Sequence, residues 1–446
     1  MASKRTLNAK NLETLGAEAL AELLIEVSGG NAVIQRRLRL ALAAGEGTEE
    51  VVQEVRKRLT AIDRSSTFLD SGKRKALVSD LEAQLQAITG QVATGDPKQA
   101  FDLLRRFLEL SEAVLERCTD SPGVVIGVFE RAAKQLGPLA QAAQLEPETL
   151  AQHAAELLAE NTFEQFDALV PALKDALGDW GLKLLGSYCR QRGALDGSTH
   201  LLQIAIARGD VDGYLAQFDA EDLLWRDIAA SVAQQLLTSG RAEQALEILD
   251  GATEDAAGFE DGHWHDSRIA VLEALNRQAE AQEMRWQWFS RTLSIPHLRD
   301  YLKRLEAFED VEAEDRALQV AEQHPISLLG LHFLVEWPAL ARAARHVLAH
   351  QAEWEGDAYT IHSAAAERLS AAHPLAATLL LRPMVFFALW MGRANRYRYA
   401  AEHLRTCEQL AGRIDDWQGH PDHSGYLESL HNMYGGKWGF WKLMER

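Results

Sequence analysis

The sequence predicts an all-α protein, an α-solenoid of antiparallel helix hairpins with a small N-terminal helical subdomain. Helix-favouring residues dominate it, chiefly alanine, leucine, glutamate, glutamine and arginine. The conspicuous β-branched run is limited to Val124, Val125 and Ile126. Apolar residues recur at spacings of three and four, which places them on one side of a helix. An irregular all-helical domain is the alternative interpretation of this pattern.

The clearest hairpin spans residues 219–250. Gly240 is expected to end its first helix, because glycine readily takes the left-handed backbone conformation. The second helix is expected to begin at Arg241. Each helix has a predicted buried face, formed in the first by Leu224, Trp225, Ile228, Ala229, Val232 and Leu236 and in the second by Ala242, Ala245, Leu246 and Leu249.

This hairpin resembles the tetratricopeptide repeat in its glycine-bounded turn and the residues that follow, namely Gly240, Glu243, Ala245 and Leu246. The resemblance implies a repeat solenoid, in which each hairpin is stabilised by its neighbours. We therefore predict three segments: a basic helical subdomain over residues 1–95, helical hairpins over 96–195, and a tetratricopeptide-like α-solenoid with an aromatic C-terminal cap over 196–446. All 11 tryptophans lie at or beyond Trp180, which favours a boundary near residues 190–200.

The N-terminal segment is predicted to contain an amphipathic helix over residues 12–27, a helix capped by Asn31, a helix starting at Thr48 and a longer helix over about 73–90. Residues 1–75 carry 13 basic and 10 acidic side chains, although the net charge of the chain is −19. Three short helices with a basic face are typical of helix-turn-helix DNA binders. The nucleic-acid-binding candidates are Arg36, Arg37, Arg39, Arg56, Lys57, Arg58 and Arg64.

Three observations weigh against that interface. The arginines are also expected to form a solvated face that pairs with Glu46, Glu49, Glu50 and Glu54. Phe68 is the one aromatic residue among the first 100, whereas single-stranded nucleic acid is bound by stacking on aromatic rings. Strong negative charge over the rest of the chain disfavours nonspecific binding to nucleic acid or anionic lipid.

Proline marks several predicted helix starts, because its missing N–H is tolerated in a first turn. These are the pairs Asp96-Pro97, Glu146-Pro147, Ile295-Pro296, His324-Pro325 and His373-Pro374. The apolar run 376–392 is interrupted by Arg382 and Pro383, so we expect a buried helix pair there. It is too short for a membrane span.

Catalytic signatures such as the phosphate-binding loop, the dinucleotide fingerprint, H-E-x-x-H and G-x-S-x-G do not occur in the sequence. Two histidine groups give weaker metal hypotheses. One is a loop over 260–266 that contains His263 and His265, and the other comprises His403, Cys407, His420, His423 and His431. We predict no catalytic residue, cofactor or metal ligand.

The aromatic ending of the chain is predicted to dock as a terminal cap. Its main residues are Tyr426, Tyr434, Lys437, Phe440 and Trp441. Together with TLNAKNLETLGAEALAELLIE and RKRLTAIDRSSTFLDSGKRKALVSDLEAQ, this ending resembles an uncharacterised bacterial family known as a domain of unknown function, which implies no established activity. The tail is also similar to the ends of some bacterial proteins with a SWIM-type zinc finger, but the paired ligands of that finger are missing.

Three function classes follow. The first is a non-enzymatic helical-repeat scaffold that binds a protein partner. The second is a nucleic-acid-associated regulator that uses the basic N-terminal helices, and the third is a metal-dependent enzyme that uses the C-terminal histidines. Three scattered cysteines without C-x-x-C spacing and an N-terminus without an apolar leader predict the cytoplasm.

Overall fold

The structure is a computed structural model that describes residues 7–120, 123–195, 197–253 and 262–445. Over these ranges it is all-α, and extended pairing is limited to isolated bridges between Leu69 and Cys118 and between Trp225 and Thr253. The chain divides into two compact units, unit 1 (Met1–Gly258) and unit 2 (Phe259–Arg446). The predicted boundaries at residues 95 and 195 stay predictions. No helix of the described ranges is long and apolar enough to cross a membrane.

Unit 1 is a series of helices with short connections. A π-helical turn (Ile88–Val92) joins α5 to α6, and a 3-10 turn (Asp222–Leu224) precedes α14. The helices are α1 (Ala9–Glu13), α2 (Ala17–Ser28), α3 (Ala32–Glu46), α4 (Thr48–Asp63), α5 (Ser71–Ala87), α6 (Ala93–Gly95), α7 (Pro97–Leu108), α8 (Ser111–Leu115), α9 (Ile126–Ala142), α10 (Pro147–Ala159), α11 (Leu169–Gln191), α12 (Thr199–Arg208), α13 (Val211–Leu215), α14 (Arg226–Thr238) and α15 (Ala242–Gly251).

Side-chain caps explain several of these helix starts. The Asn31 carboxamide oxygen accepts hydrogen bonds from the N–H groups of Val33 and Ile34, as the sequence indicated. Asp96 caps α7 in the same way, with Pro97 in the first turn. These caps satisfy N–H groups that have no partner inside the helix.

Helices of unit 1 pack mainly on their sequence neighbours, as in α10 with α11 and α14 with α15, which is the solenoid-like arrangement that the sequence predicted. One hydrophobic core runs from Ala43 in α3 to Ile204 in α12. It crosses residues 95 and 195, so helices on both sides of the predicted boundaries share buried side chains.

The hairpin at residues 219–250 is confirmed in its main features. Gly240 has φ +79° between α14 and α15, and the predicted face of α15 is buried. The face of α14 differs at its start, because Leu224 and Trp225 precede the helix and are exposed. Leu224 ends the 3-10 turn and Trp225 is the N-cap residue of α14, so neither belongs to the helical face that Val232 and Leu236 bury.

The first predicted helix of the chain is wrong in its extent. Residues 12–27 are divided between α1 and α2 at Gly16, which has φ +83°. The apolar side chains of this stretch are not packed into the core either. Those that are exposed are Leu15, Leu23, Leu24, Ile25 and Val27.

Unit 2 continues the pattern of neighbouring helices, as in the pairs α16 with α17, α20 with α21 and α23 with α24. It also contains 3-10 turns at Gln351–Glu353 and Ala394–Arg396. Its helices are α16 (Gly262–Ala274), α17 (Gln278–Thr292), α18 (Ile295–Leu302), α19 (Glu309–Glu322), α20 (Ser327–Glu336), α21 (Leu340–Ala349), α22 (Tyr359–Leu369), α23 (Pro374–Trp390), α24 (Tyr397–Ala411), α25 (His423–Tyr434) and α26 (Trp438–Met444).

The predicted helix pair at 376–392 is one helix, α23, which continues through Pro383. Proline inside a helix removes one hydrogen bond and favours a bend. Burial outweighs that cost here, because nearly the whole first half of α23 is buried in the core of unit 2. The aromatic ending packs on the same helix, with Leu430 and Phe440 fully buried beside Val385 and Leu389.

Candidate functional site

Two cavities of unit 2 share a wall made by Gly356 and Phe387. The Arg396 cavity, of about 370 Å³, lies among α22, α23 and α24 and is lined by Gly356, Tyr359, Thr360, Ser363, Met384, Phe387, Ala388, Arg393, Arg396, Tyr399, Ala400 and His403. The Trp390 cavity, of about 700 Å³, is lined by Gln351, Trp354, Glu355, Gly356, Asp357, Leu379, Arg382, Pro383, Phe386, Phe387, Trp390, His420, Pro421 and Tyr426.

The shared wall depends on a close approach of Gly356 to α23. A Cβ atom on Gly356 would lie 2.1 Å from the Pro383 carbonyl oxygen and 2.4 Å from the Phe387 Cβ. Only glycine fits there without a shift of the backbone. The segment before α22 can therefore lie directly on α23 and separate the two cavities.

The Arg396 cavity is positively charged. The Arg396 guanidinium lies 4.1 Å from the ring centroid of Tyr359 and donates a hydrogen bond to its hydroxyl at 2.8 Å. Arg393 lies 4.9 Å from the ring centroid of Phe387. Neither arginine forms an ion pair with a residue of the described ranges, and no carboxylate lines the cavity. Burial lowers the pKa of His403, so this imidazole is neutral near pH 7.

Exposed aromatic side chains surround both cavities. Trp390 is 60% exposed and Tyr399 is 54% exposed, and Phe386 is also exposed at the edge of the Trp390 cavity. Large aromatic side chains left in water are enriched at protein interfaces, where one face is covered by a partner. Both cavities thus have at least one exposed aromatic side chain in their lining.

Arg382 forms one wall of the Trp390 cavity and is 6% exposed. Its guanidinium donates hydrogen bonds to the carbonyl oxygens of Pro421 and Asp422, at 2.8 and 3.1 Å. It also lies 4.9 Å from the ring centroid of Trp417 and 4.4 Å from that of Tyr426. This arginine anchors the C-terminal segment to α23, which is a structural role.

The structure does not bring the proposed metal ligands together. His263 and His265 lie at the start of helix α16 rather than in a loop, and Glu260 and Asp261 lie outside the described residues. His265 stacks on Trp288, with ring centroids 4.0 Å apart. The helix forms because the apolar residues that follow, such as Ile269 and Leu272, pack into the core.

The C-terminal histidines are dispersed in the same way. His403 lines the Arg396 cavity, whereas His420 lines the Trp390 cavity. Cys407 is fully buried, and burial raises the pKa of its thiol to about 12. His431 contacts the ring of Trp441, at 5.0 Å between centroids. In the ranges that the structure describes, no three histidine, cysteine, aspartate or glutamate side chains are placed to share a metal ion.

A third group of histidines, around Trp354, was missed in the sequence. The rings of His346 and His350 lie 4.4 Å apart, and Trp354 contacts His346, His350 and His362. The four-residue spacing of His346, in α21, and His350, which directly follows that helix, is the signal that could have found the pair. His362 lies in α22, and only the tertiary fold brings it to Trp354 and the other two histidines.

The basic residues of unit 1 fall into two groups. Arg36 and Arg58 both contact the Asp80 carboxylate, which is 3% exposed, instead of the glutamates that the sequence suggested. Arg36, Arg39, Lys57 and Arg58 line a pocket of about 180 Å³, which we call the Asp80 pocket. The other group is exposed and lies outside this pocket, at Arg37, Arg56 and Arg64. The nucleic-acid interface stays a prediction.

Comparison with known proteins assigns the chain to a family whose function is unknown. The model of the "Family of unknown function (DUF6880)" matches residues 2–194 and 188–443. No curated protein matches the chain. A solved structure described as a "circular tandem repeat protein with novel repeat topology and enhanced subunit contact surfaces" is similar over 97% of this chain and 90% of that chain, with 16% identity and a TM-score of 0.24.

Proposed function

The chain belongs to the DUF6880 family, a family of unknown function, and we propose that it is a non-catalytic helical scaffold that binds a protein partner through the Arg396 cavity. The partner inserts an apolar side chain into the cavity and places a carboxylate against Arg393 and Arg396. A helical-repeat fold supports a scaffold role, because such folds present long surfaces to other proteins.

The observation that carries this proposal is the uncompensated charge of the two arginines. Their guanidinium groups are already positioned on the faces of Phe387 and Tyr359. A guanidinium held in place loses little entropy when it binds a carboxylate, and its planar donors match the two carboxylate oxygens. The charges therefore favour an acidic ligand.

The rest of the lining favours an apolar group beside that acid. Met384, Phe387, Ala388 and Ala400 form much of the wall of the Arg396 cavity. The same Phe387 also lines the Trp390 cavity, so a ligand that crosses α23 contacts both cavities. A peptide segment has the length for this, and Trp390 offers it an exposed aromatic contact.

The experiment is selection of peptides from a random phage-displayed library on the immobilised full chain. We expect enriched peptides with Asp, Glu or a free C-terminal carboxylate beside an aromatic or aliphatic residue. Synthetic versions are then measured by fluorescence anisotropy. Arg396→Ala is expected to weaken binding about tenfold or more, because a charge-assisted hydrogen bond is lost.

Arg398→Ala is the matched control. Arg398 lies two residues further along the chain in the first turn of α24, is exposed, pairs with Glu402 at 3.1 Å and does not line the cavity. It should leave peptide binding unchanged. Enrichment of peptides without an acidic group, or equal losses for Arg396→Ala and Arg398→Ala, would contradict the proposal. Binding of free small carboxylates in preference to peptides would also contradict it.

We also propose that the scaffold acts in the cytoplasm. Cys189 and Cys407 are buried free thiols, and burial raises the pKa of Cys189 to about 11. Protonated buried thiols suit a reducing compartment. Localisation of a tagged full chain by cell fractionation tests this placement, and recovery from a membrane or secreted fraction would overturn it.

A further inference from the structure

We propose that the Asp80 pocket of unit 1 binds inorganic phosphate, in the hydrogen-bearing form present near neutral pH. The pocket lies among α3, α4 and α5, and its polar lining consists of Arg36, Arg39, Glu54, Lys57, Arg58 and Gln84. This site is separate from the partner-binding site proposed in unit 2.

Basic side chains outnumber acidic ones around the Asp80 pocket. Asp80 is buried, and its Oδ2 atom lies 2.6 Å from Arg58 Nη2 and 3.1 Å from Arg36 Nε. One carboxylate thus faces two guanidinium groups. Glu54 lies 3.4 Å from the exposed Lys57, and Arg39 has no ion pair with any described residue. Four cations against two carboxylates leave the pocket with an excess of positive charge that a small dianion would neutralise.

The Arg58 guanidinium is held in place before an anion binds. Asp80 fixes Arg58, because Arg58 Nε donates to Oδ2 at 2.7 Å in addition to the Nη2 contact. Arg36 lies beside the same carboxylate oxygen as an ion-pair partner. Donors fixed in this way lose little side-chain entropy on binding an anion. Hydrogen bonds from guanidinium groups to phosphate oxygens are among the stronger hydrogen bonds in proteins.

Gln84 adds a buried carboxamide to the lining of the pocket. This residue is 4% exposed, and its Nε2 faces Asp80 Oδ1 at 3.4 Å. The amide orientation follows from that contact, because the carboxylate requires a donor. The Oε1 atom has no hydrogen-bond partner in the described structure. A buried acceptor without a donor is costly, so a ligand with an O–H group is favoured at this position.

These features together select phosphate among small oxyanions. Inorganic phosphate near neutral pH carries two or three unprotonated oxygens for the arginines and at least one P–OH for the Gln84 Oε1. Sulfate and the phosphodiesters of nucleic acid carry no such hydrogen. The volume of about 180 Å³ is also below the roughly 300–1,000 Å³ of sites for drug-sized ligands. A small anion therefore fits the pocket better than a nucleotide.

Isothermal titration calorimetry of the full chain tests the proposal, with inorganic phosphate and sulfate in a chloride buffer near neutral pH. We expect saturable binding of phosphate at one site and at least about tenfold weaker binding of sulfate, since sulfate leaves Gln84 unpaired. Phenyl phosphate separates free phosphate from a phosphomonoester. It should bind only below its second pKa, about 6 in phosphomonoesters, where it gains a P–OH.

Arg39→Ala is expected to weaken phosphate binding about tenfold, and its fold is preserved because Arg39 does not contact Asp80. Arg37→Ala, on the same helix but outside the pocket, should bind like the wild type. Gln84→Met removes the acceptor for the P–OH group, so the difference between the phosphate and sulfate affinities should disappear. The proposal is overturned by absence of phosphate binding at millimolar concentration, by equal affinities for phosphate and sulfate in the wild type, or by equal losses for Arg37→Ala and Arg39→Ala.

Discussion

Arg382 and Tyr426 hold the C-terminal segment of unit 2 against α23 through two contacts. The guanidinium of Arg382 lies 4.4 Å from the ring centroid of Tyr426, and the Tyr426 hydroxyl donates a hydrogen bond to the Arg382 carbonyl oxygen at 2.9 Å. Burial raises the pKa of Tyr426, so the hydroxyl remains protonated and able to donate. The pair joins helices that are far apart in the sequence and completes one wall of the Trp390 cavity.

Removal of Arg382 is expected to destabilise unit 2 strongly. Arg382→Ala deletes two hydrogen bonds to backbone carbonyls and two ring contacts, so we expect a loss of about 2–4 kcal/mol in the free energy of unfolding. Tyr426→Phe removes one hydrogen bond and should cost about 1 kcal/mol. Urea unfolding measures both. If Arg382→Ala costs no more than the exposed Arg398→Ala, the anchoring role is wrong.

Asp80 is expected to be the most sensitive charged residue of the basic helices. Asp80→Asn leaves Arg36 and Arg58 without a buried counter-charge, and breaking a buried pair costs about 3–5 kcal/mol. Both arginines keep some contact with water, so we expect a value near the lower end. Glu54→Gln, which breaks only an exposed pair with Lys57, should cost less than about 1 kcal/mol. Equal effects of the two substitutions in chemical unfolding would contradict this assignment.

Acid is expected to destabilise unit 2 through His362. This side chain is fully buried, neither ring nitrogen has a hydrogen-bond partner in the described structure, and burial lowers its pKa to about 4 from 6.5. Between these values the unfolded chain binds a proton and the folded chain does not. Stability is therefore unaffected above about pH 6.5 and decreases as the pH falls toward 4, by up to roughly 3 kcal/mol.

Chemical unfolding at neutral pH and near pH 5 tests this dependence. His362→Phe should remove part of the loss, and the rest comes from other buried histidines whose pKa values burial also lowers, such as His346 and His403. His332→Gln changes an exposed histidine and should leave the pH dependence as in the wild type. A wild-type pH dependence in His362→Phe would show that another group is responsible.

The wall between the two cavities is expected to require glycine at position 356. Gly356→Ala places a methyl group against the Pro383 carbonyl and Phe387, and overpacking of this kind costs about 1–3 kcal/mol. The same substitution should weaken peptide binding, because the segment before α22 must move away from α23. Gly412→Ala is the control, since no atom lies within 4 Å of its added Cβ. Thermal unfolding should show a lower stability for Gly356→Ala than for Gly412→Ala. Fluorescence anisotropy should show weaker peptide binding for Gly356→Ala only.

The local features of this fold were accessible from the sequence, but the sites were accessible only in part. Arg36, Arg39, Lys57 and Arg58 were candidates for anion binding from the sequence, whereas their partner Asp80 and the whole Arg396 cavity were not identified. Helical spacing predicted the buried face of α15, and the cap at Asp96 predicted the start of α7. Both depend on residues within a few positions of each other. By contrast, Arg58 finds Asp80 across 22 residues, and Gly356 meets Pro383 only after folding. Pro383 predicts a break between two helices, but α23 continues through it, because the burial that offsets its lost hydrogen bond is a tertiary effect.

The central claim, that a carboxylate of a protein partner binds Arg396, is tested most directly by a double-mutant cycle on a selected peptide. Affinities are measured for the wild type and Arg396→Ala, each with the peptide and with its acid replaced by the neutral amide. We predict a coupling of roughly 0.5–3 kcal/mol, because the two groups contact each other. Additive losses, with no coupling beyond error, would contradict the account.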